Sequence, residues 1–156
     1  MKKLRISIFF LFLTNIGLCQ TIVKGKVVRI ADGDTITLLD ENKKQVKIRL
    51  YGIDCPEKRQ DFGSVAKQFT ASKCFNKFIK AEIKYTDRYG RKVGSVILPN
   101  GKSLNKELLK AGLAWHYVKF DTSAEFSMIE KKARLKRKGL WSMENPIAPW
   151  VFRKRA

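Results

Sequence analysis

Alternation of apolar and polar positions defines the first elements of this chain. Residues 45–53 (QVKIRLYGI) set Val46, Ile48 and Leu50 against Lys47, Arg49 and Tyr51, the period of a half-buried strand. Residues 21–31 (TIVKGKVVRIA) and 34–39 (DTITLL) read as two further strands, with Asp32-Gly33 as the turn between them. Asn42-Lys43-Lys44 supplies the turn into the strand at 45–53. Two more strands are predicted at 81–86 (AEIKYT) and 92–98 (KVGSVIL), joined by Asp87-Arg88-Tyr89-Gly90 and followed by a turn at Pro99-Asn100-Gly101.

Helical spacing appears in three places. Over 62–76, Phe62, Val65, Ala66 and Phe69 share one face, while Ala71, Cys74, Phe75 and Phe78 fall on the opposite one. That helix is either buried on two sides or ends or bends near Ser72. A short helix at 103–111 stops at Gly112, a left-handed cap. The last opens on Thr122-Ser123-Ala124-Glu125, a capping-box pattern, and runs to Gly139. Pro146 to Arg155 reads as an extended tail, with Trp150 and Phe152 available to pack it back. Five short strands with three helices make an α+β domain. A five-stranded β-barrel of the oligonucleotide-binding (OB) type fits the count, although periodicity alone does not separate it from other small α+β folds.

The first nineteen residues stand apart. Lys2, Lys3 and Arg5 precede an apolar run from Ile6 to Leu13, and Gly17 and Cys19 are small residues before Gln20. This is the pattern of a signal peptide over 1–19, with a membrane anchor as the alternative. Acylation of Cys19 as a lipoprotein is disfavoured by bulky Leu18. A secreted or periplasmic location follows, without stable membrane association after cleavage. The domain then spans 20–142, and a basic C-terminal tail spans 143–156. Export would leave Cys55 and Cys74 either as one disulfide or as a buried pair of small apolar side chains.

The chain has 156 residues, enough for one ordinary domain, with 33 Lys and Arg against 14 Asp and Glu. A net charge of +19 favours a polyanionic partner, and loss of residues 1–19 removes no acid. One His and three Cys would all be consumed by a single zinc site. His-based metal nuclease chemistry and serine or cysteine triads are therefore disfavoured, leaving carboxylates and arginines. Asp32-Gly33-Asp34 sits at a strand turn, and Asp54-Cys55-Pro56-Glu57 leaves the end of the third strand. Brought together, Asp34 and Asp54 offer hard oxygen ligands for Ca²⁺ or Mg²⁺, though each acid alone is also ordinary turn chemistry. Arg49, five residues before Asp54 on the same strand, and Arg91, after the Gly90 turn, carry guanidinium forks that match phosphate. Gly101-Lys102-Ser103 lacks the first glycine of a phosphate loop, which would fall at Val96. Six of the eight residues 131–138 are basic, a solvated helix face or a nonspecific attraction for a nucleic-acid backbone.

The run ADGDTITL, KIRLYGIDCPE, DRYGR, LNKELLKAGLA and GLW, over roughly residues 22–142, resembles the staphylococcal nuclease, or thermonuclease, family. The resemblance implies an OB-type barrel and a Ca²⁺-dependent phosphodiesterase that cleaves DNA and RNA to leave 3′-phosphate ends. By position, Asp34 and Asp54 resemble the carboxylate ligands of Ca²⁺. The backbone carbonyl of Cys55 resembles a third ligand, and Asp32 one that acts through water. Glu57 matches the general base, Arg49 and Arg91 the two phosphate-binding arginines, and Arg88 and Tyr89 the residues at a terminal phosphate. Two positions depart from the best-known member. Cys55 replaces Thr where only the backbone is needed, and Ala114-Trp115-His116-Tyr117 does not reproduce its base-stacking tyrosines in register. A monomer is expected. The rival reading is a noncatalytic nucleic-acid-binding module on the same barrel, against which stands the joint presence of Asp34, Arg49, Asp54, Glu57 and Arg91.

Overall fold

A twelve-residue first strand, β1 (Thr21–Asp32), belongs to two ladders at once. In the computed structural model, which describes residues 21–155, its N-terminal half pairs with β5 (Phe78–Thr86) and its C-terminal half with β2 (Thr35–Asp40). Register shifts between Val27 and Arg29 and between Ile30 and Asp32 mark bulges, which bend a strand and increase its twist. β2 continues antiparallel into β3 (Gln45–Leu50), and β5 turns back as β6 (Lys92–Ile97). β3 and β6 then meet in parallel, Ile48 opposite Lys92 and Arg49 opposite Val93, closing the barrel in the order β1-β2-β3-β6-β5. The OB-type α+β fold expected from the strand count is the one observed. The signal-peptide and Cys19 readings lie outside the described residues.

The alternation that predicts the strands also fills the barrel. Val27, Ile36, Leu38, Ile48, Leu50 and Val96 are almost wholly inaccessible, and Leu104, Leu108 and Leu109 of α2 (Leu104–Ala111) join the same core. Burying each such side chain stabilises by about 1.5–3 kcal/mol before chain entropy is counted. α2 starts at a Ser103 cap and ends at Gly112, whose φ of 69° is the expected left-handed cap. Asn105 on α2 is fully buried and ties three segments together. Its amide oxygen accepts from the Val96 N–H at 3.0 Å, and its NH₂ donates to the Tyr51 carbonyl at 2.9 Å.

Four expectations need correction. Arg49 and Asp54 are not on one strand. β3 stops at Leu50, the chain turns at Tyr51-Gly52, and Asp54 lies on a two-residue strand, β4 (Ile53–Asp54), paired with β7 (Trp115–His116). The helix after β4, α1 (Gly63–Cys74), fully buries Gly63, Ala66, Thr70 and Cys74, a stripe that takes Ala66 from one expected face and Cys74 from the other; Phe62, Phe69 and Ala71 pack at its margin, while Val65 and Phe75 are exposed. Small side chains let the helix approach the β1–β2 turn closely enough for the Thr70 hydroxyl to donate to the Gly33 carbonyl at 2.6 Å. α3 (Ala124–Leu135) ends before Gly139, and its cap is Ser123, not a Thr122–Glu125 box; Glu125 pairs with Lys106 at 2.7 Å. The described residues hold four helices, not three. The tail is not extended but forms α4 (Pro149–Arg155).

Cys55 and Cys74 are both buried free thiols rather than a disulfide. Burial pushes Cys74 up to about 12 and Cys55 well above its ordinary value. Both therefore stay protonated and unreactive at neutral pH.

Candidate active site

The β1–β2 turn and the β3–β4 turn deliver two acids to one place. Asp34, just before β2, accepts the Cys55 backbone N–H on Oδ2 at 2.6 Å, and its own N–H donates to Asp32 Oδ1 at 3.2 Å. The turn can sit this close to Cys55 because residue 33 is glycine. A Cβ there would lie 2.8 Å from the Cys55 and Ala66 Cβ atoms, closer than side chains pack. Asp54 is almost wholly buried, held by β4–β7 pairing in which it stands opposite Trp115. β7 is itself anchored from below. The buried His116 ring lies between Asp121 (3.2 Å) and Ser127 (3.1 Å), a satisfied structural histidine.

Arg49 projects from β3 between the two acids. It pairs with Asp34 through Nη1 and with Asp54 Oδ1 through Nη2 at 2.6 Å, with its own side chain largely buried. Burial raises both carboxylates, Asp34 to about 6, more than the neighbouring guanidinium lowers them. Asp32 adds like-charge repulsion to the same effect at Asp34. An acid raised on folding from 3.8 to about 6 favours the fold below its unfolded value and loses that contribution as pH climbs through about 6. In chelator, the urea midpoint of Asp34→Asn relative to the native protein is therefore expected to rise between pH 4 and 6 and level off above. A difference that stays constant across that range removes Asp34 as the titrating group.

Glu57 stands at the rim, half exposed, and the Gln60 side chain fixes its backbone by accepting the Glu57 N–H at 3.0 Å. Its carboxylate is held by Arg153, whose Nη1 reaches Glu57 Oε1 at 2.6 Å and whose Nη2 reaches Asp54 Oδ2 at 2.8 Å. Sequence reasoning missed Arg153. Its helix is seated by Trp150, which stacks on Tyr117 with centroids 4.9 Å apart and planes within 5°, and meets Trp115 edge-on at 5.6 Å. Trp115 and Tyr117, from the segment that does not match the family's base-stacking tyrosines in register, thus hold the tail. Pro149, favoured in a first helical turn, is the one local signal that marks α4.

Asp34, Arg49, Asp54 and Glu57 converge, with Asp32 joined through the Asp34 backbone. Arg88, Tyr89 and Arg91 instead form a second cluster on the β5–β6 turn. Arg91 Nε donates to Asp87 Oδ2 at 2.7 Å, and Arg88 Nη2 donates to the Tyr89 hydroxyl at 2.6 Å. The parallel β3–β6 pairing sets Lys92, the residue after Arg91, opposite Ile48, the neighbour of Arg49 on β3.

Two comparisons bear on this arrangement. A family model described as staphylococcal nuclease homologue matches residues 47–143. An uncharacterized endonuclease of Escherichia coli O157:H7 is 38% identical over 155 residues, covering 99% of both chains. A micrococcal nuclease of Shigella flexneri is 40% identical over 141 residues, covering 84% of this chain and 80% of its own. An uncharacterized endonuclease of Haemophilus influenzae is 32% identical over 155 residues, covering 99% and 86%. With the barrel, the paired acids and their bridging arginine in place, these matches establish that the chain belongs to the staphylococcal nuclease family.

Proposed function

We propose that this nuclease is a Ca²⁺-dependent endonuclease of low sequence specificity that hydrolyses DNA and RNA and leaves 3′-phosphate ends. The observation that carries the reading is the pair of buried carboxylates, Asp34 and Asp54, bridged by Arg49, with Glu57 beside them at the rim. Buried acids whose desolvation outweighs their arginine partner call for more positive charge, and an all-oxygen donor set suits a hard divalent cation. Asp34 and Asp54 would hold it with the Cys55 carbonyl, and Asp32 would act through water. A bound calcium ion would supply charge neutralisation at a phosphate oxygen.

The chain's own residues do the rest. Glu57 takes a proton from water as the water oxygen bonds to phosphorus. Arg49 and Arg91 hold the phosphoryl oxygens and stabilise the charge that grows on them. Arg88 and Tyr89 receive a terminal phosphate. The P–O5′ bond breaks, the departing oxygen is protonated, and the phosphate stays on the 3′ side. The exposed basic residues of 131–138 draw the polyanion in without reading its bases. The protein acts as an exported monomer, its 1–19 segment removed.

Digestion of DNA and RNA by the purified protein tests this directly. Cleavage is expected with Ca²⁺, suppressed by chelator and weakened together with Ca²⁺ binding in Asp34→Asn, with products carrying 3′-phosphates. Full cleavage in excess chelator overturns the metal assignment, and binding without cleavage in Ca²⁺ restores the noncatalytic alternative.

A further inference from the structure

The acid cluster has two arginines of different character. Arg49 is built in, its side chain 14% exposed and locked between Asp34 and Asp54 from within the barrel. Arg153 comes from the far end of the chain, its side chain 43% exposed, and closes the same cluster from the solvent side. Its Nη2 takes Asp54 Oδ2 at 2.8 Å, while its Nη1 is 3.3 Å from Asp54 Oδ1 and 2.6 Å from Glu57 Oε1. One guanidinium therefore bonds both oxygens of a proposed metal ligand and one oxygen of the proposed base.

The contact is positioned rather than incidental. Trp150, three residues earlier on α4, rests on Tyr117 and Trp115, and Trp115 is the residue paired with Asp54 across β4–β7. The Gln60 side chain, which also fixes the Glu57 backbone, donates to the Ile147 carbonyl at 2.8 Å just before the helix. Both anchors join the Arg153 segment to the segments that carry Asp54 and Glu57. They fix the helix and leave a long, half-exposed side chain free to reorient.

We propose that Arg153 is a further phosphate-binding arginine, held on Asp54 and Glu57 until a divalent cation displaces it. The inference rests on the metal reading of the site. A cation and a guanidinium compete for the same Asp54 lone pairs and repel each other, so occupancy by one expels the other. The displaced guanidinium stays tethered at the rim, where its fork matches the oxygens of an arriving phosphate. Its departure also releases the Glu57 carboxylate from an ion pair that opposes proton uptake.

The full-length protein is compared with Arg153→Gln and Arg153→Lys. Calorimetric titration with Ca²⁺ alone, at constant ionic strength, is expected to give an affinity about tenfold tighter in Arg153→Gln, the scale of one charge-assisted bond at a partly exposed site. Arg153→Lys, a point charge without the fork, is expected to lie between the two. In saturating Ca²⁺, KM for single-stranded DNA should rise about tenfold in Arg153→Gln while kcat changes less, because a phosphate contact is lost and Glu57 is not. A Ca²⁺ affinity that is unchanged or weaker in Arg153→Gln overturns the proposal, as does an unchanged KM. Native protein that binds no Ca²⁺ overturns the metal reading itself, a result visible before any variant is made.

Discussion

Glu57→Gln is expected to lower kcat by ~10²-fold or more while nucleic-acid binding is largely preserved, the scale on which a general base contributes. Glutamine keeps the length of the side chain and an oxygen that can accept from Arg153, but it cannot take up the proton of the attacking water. The backbone under residue 57 is fixed independently of its carboxylate, by the Gln60 side chain and by the Gln60 N–H donating to the Glu57 carbonyl at 2.8 Å. Because the side chain is half exposed, the cost to stability should stay within about 0.5 kcal/mol, typical of a surface position. Single-turnover cleavage at saturating enzyme, run beside a binding isotherm, separates chemistry from affinity. An unchanged single-turnover rate takes Glu57 out of the mechanism.

Arg49→Ala should damage fold and function together. Among the described residues Arg49 is the one cation paired with Asp34, and it shares Asp54 with Arg153. Its removal leaves Asp34 buried without its counter-charge, and breaking a buried pair from one side costs about 3–5 kcal/mol. Urea unfolding in chelator at pH 7 should show that loss. The loss should shrink toward pH 4, where a carboxyl with a pKa of about 6 is neutral and no longer needs a partner. Cleavage in Ca²⁺ should fall by ~10²-fold or more, since a guanidinium stabilising developing phosphoryl charge acts in the transition state. A stability loss below about 1 kcal/mol at pH 7 would mean that Asp34 is solvated in the variant, or takes up a proton and so no longer needs a counter-charge.

The barrel was legible because each strand writes its buried face into alternate positions: Ile48 and Leu50 point one way and Arg49 the other. The acid cluster was legible because its members sit at or just past turns between those strands, and the β2–β3 ladder brings those turns to one end of the barrel. What stayed hidden has no periodic signature. α1 packs through Gly63, Ala66, Thr70 and Cys74, residues too small to outweigh Phe62, Phe69 and Phe75 on any hydropathy scale, yet smallness lets it approach Gly33. β4 and β7 have two residues each and exist by pairing with one another. α4 is seven residues long, below the length at which a helix holds itself, and depends on the Trp150–Tyr117 stack. Arg153 is one of 33 basic residues, distinguished from the rest by that stack and by the Gln60–Ile147 hydrogen bond that seats its helix.

The parallel seam between β3 and β6 also orders the route by which the protein folds. β1, β2 and β3 follow one another through short turns, and β5 and β6 form a hairpin, so both can assemble from neighbouring residues. The seam joins partners separated by β4, the whole of α1 and β5, and it shares that long reach with the β1–β5 ladder. Bringing distant segments together costs loop entropy before any contact repays it, which slows closure relative to the local hairpins. Arg49 lies in the seam, opposite Val93, yet it meets Asp34 earlier, because the β2–β3 ladder already sets Arg49 opposite Thr35 and the Leu50 N–H on the Asp34 carbonyl at 2.8 Å. Partly folded forms with an open seam can therefore already hold the Arg49–Asp34 pair, whereas β6, with Arg91 at its head, is set beside β3 only by the last and slowest contacts.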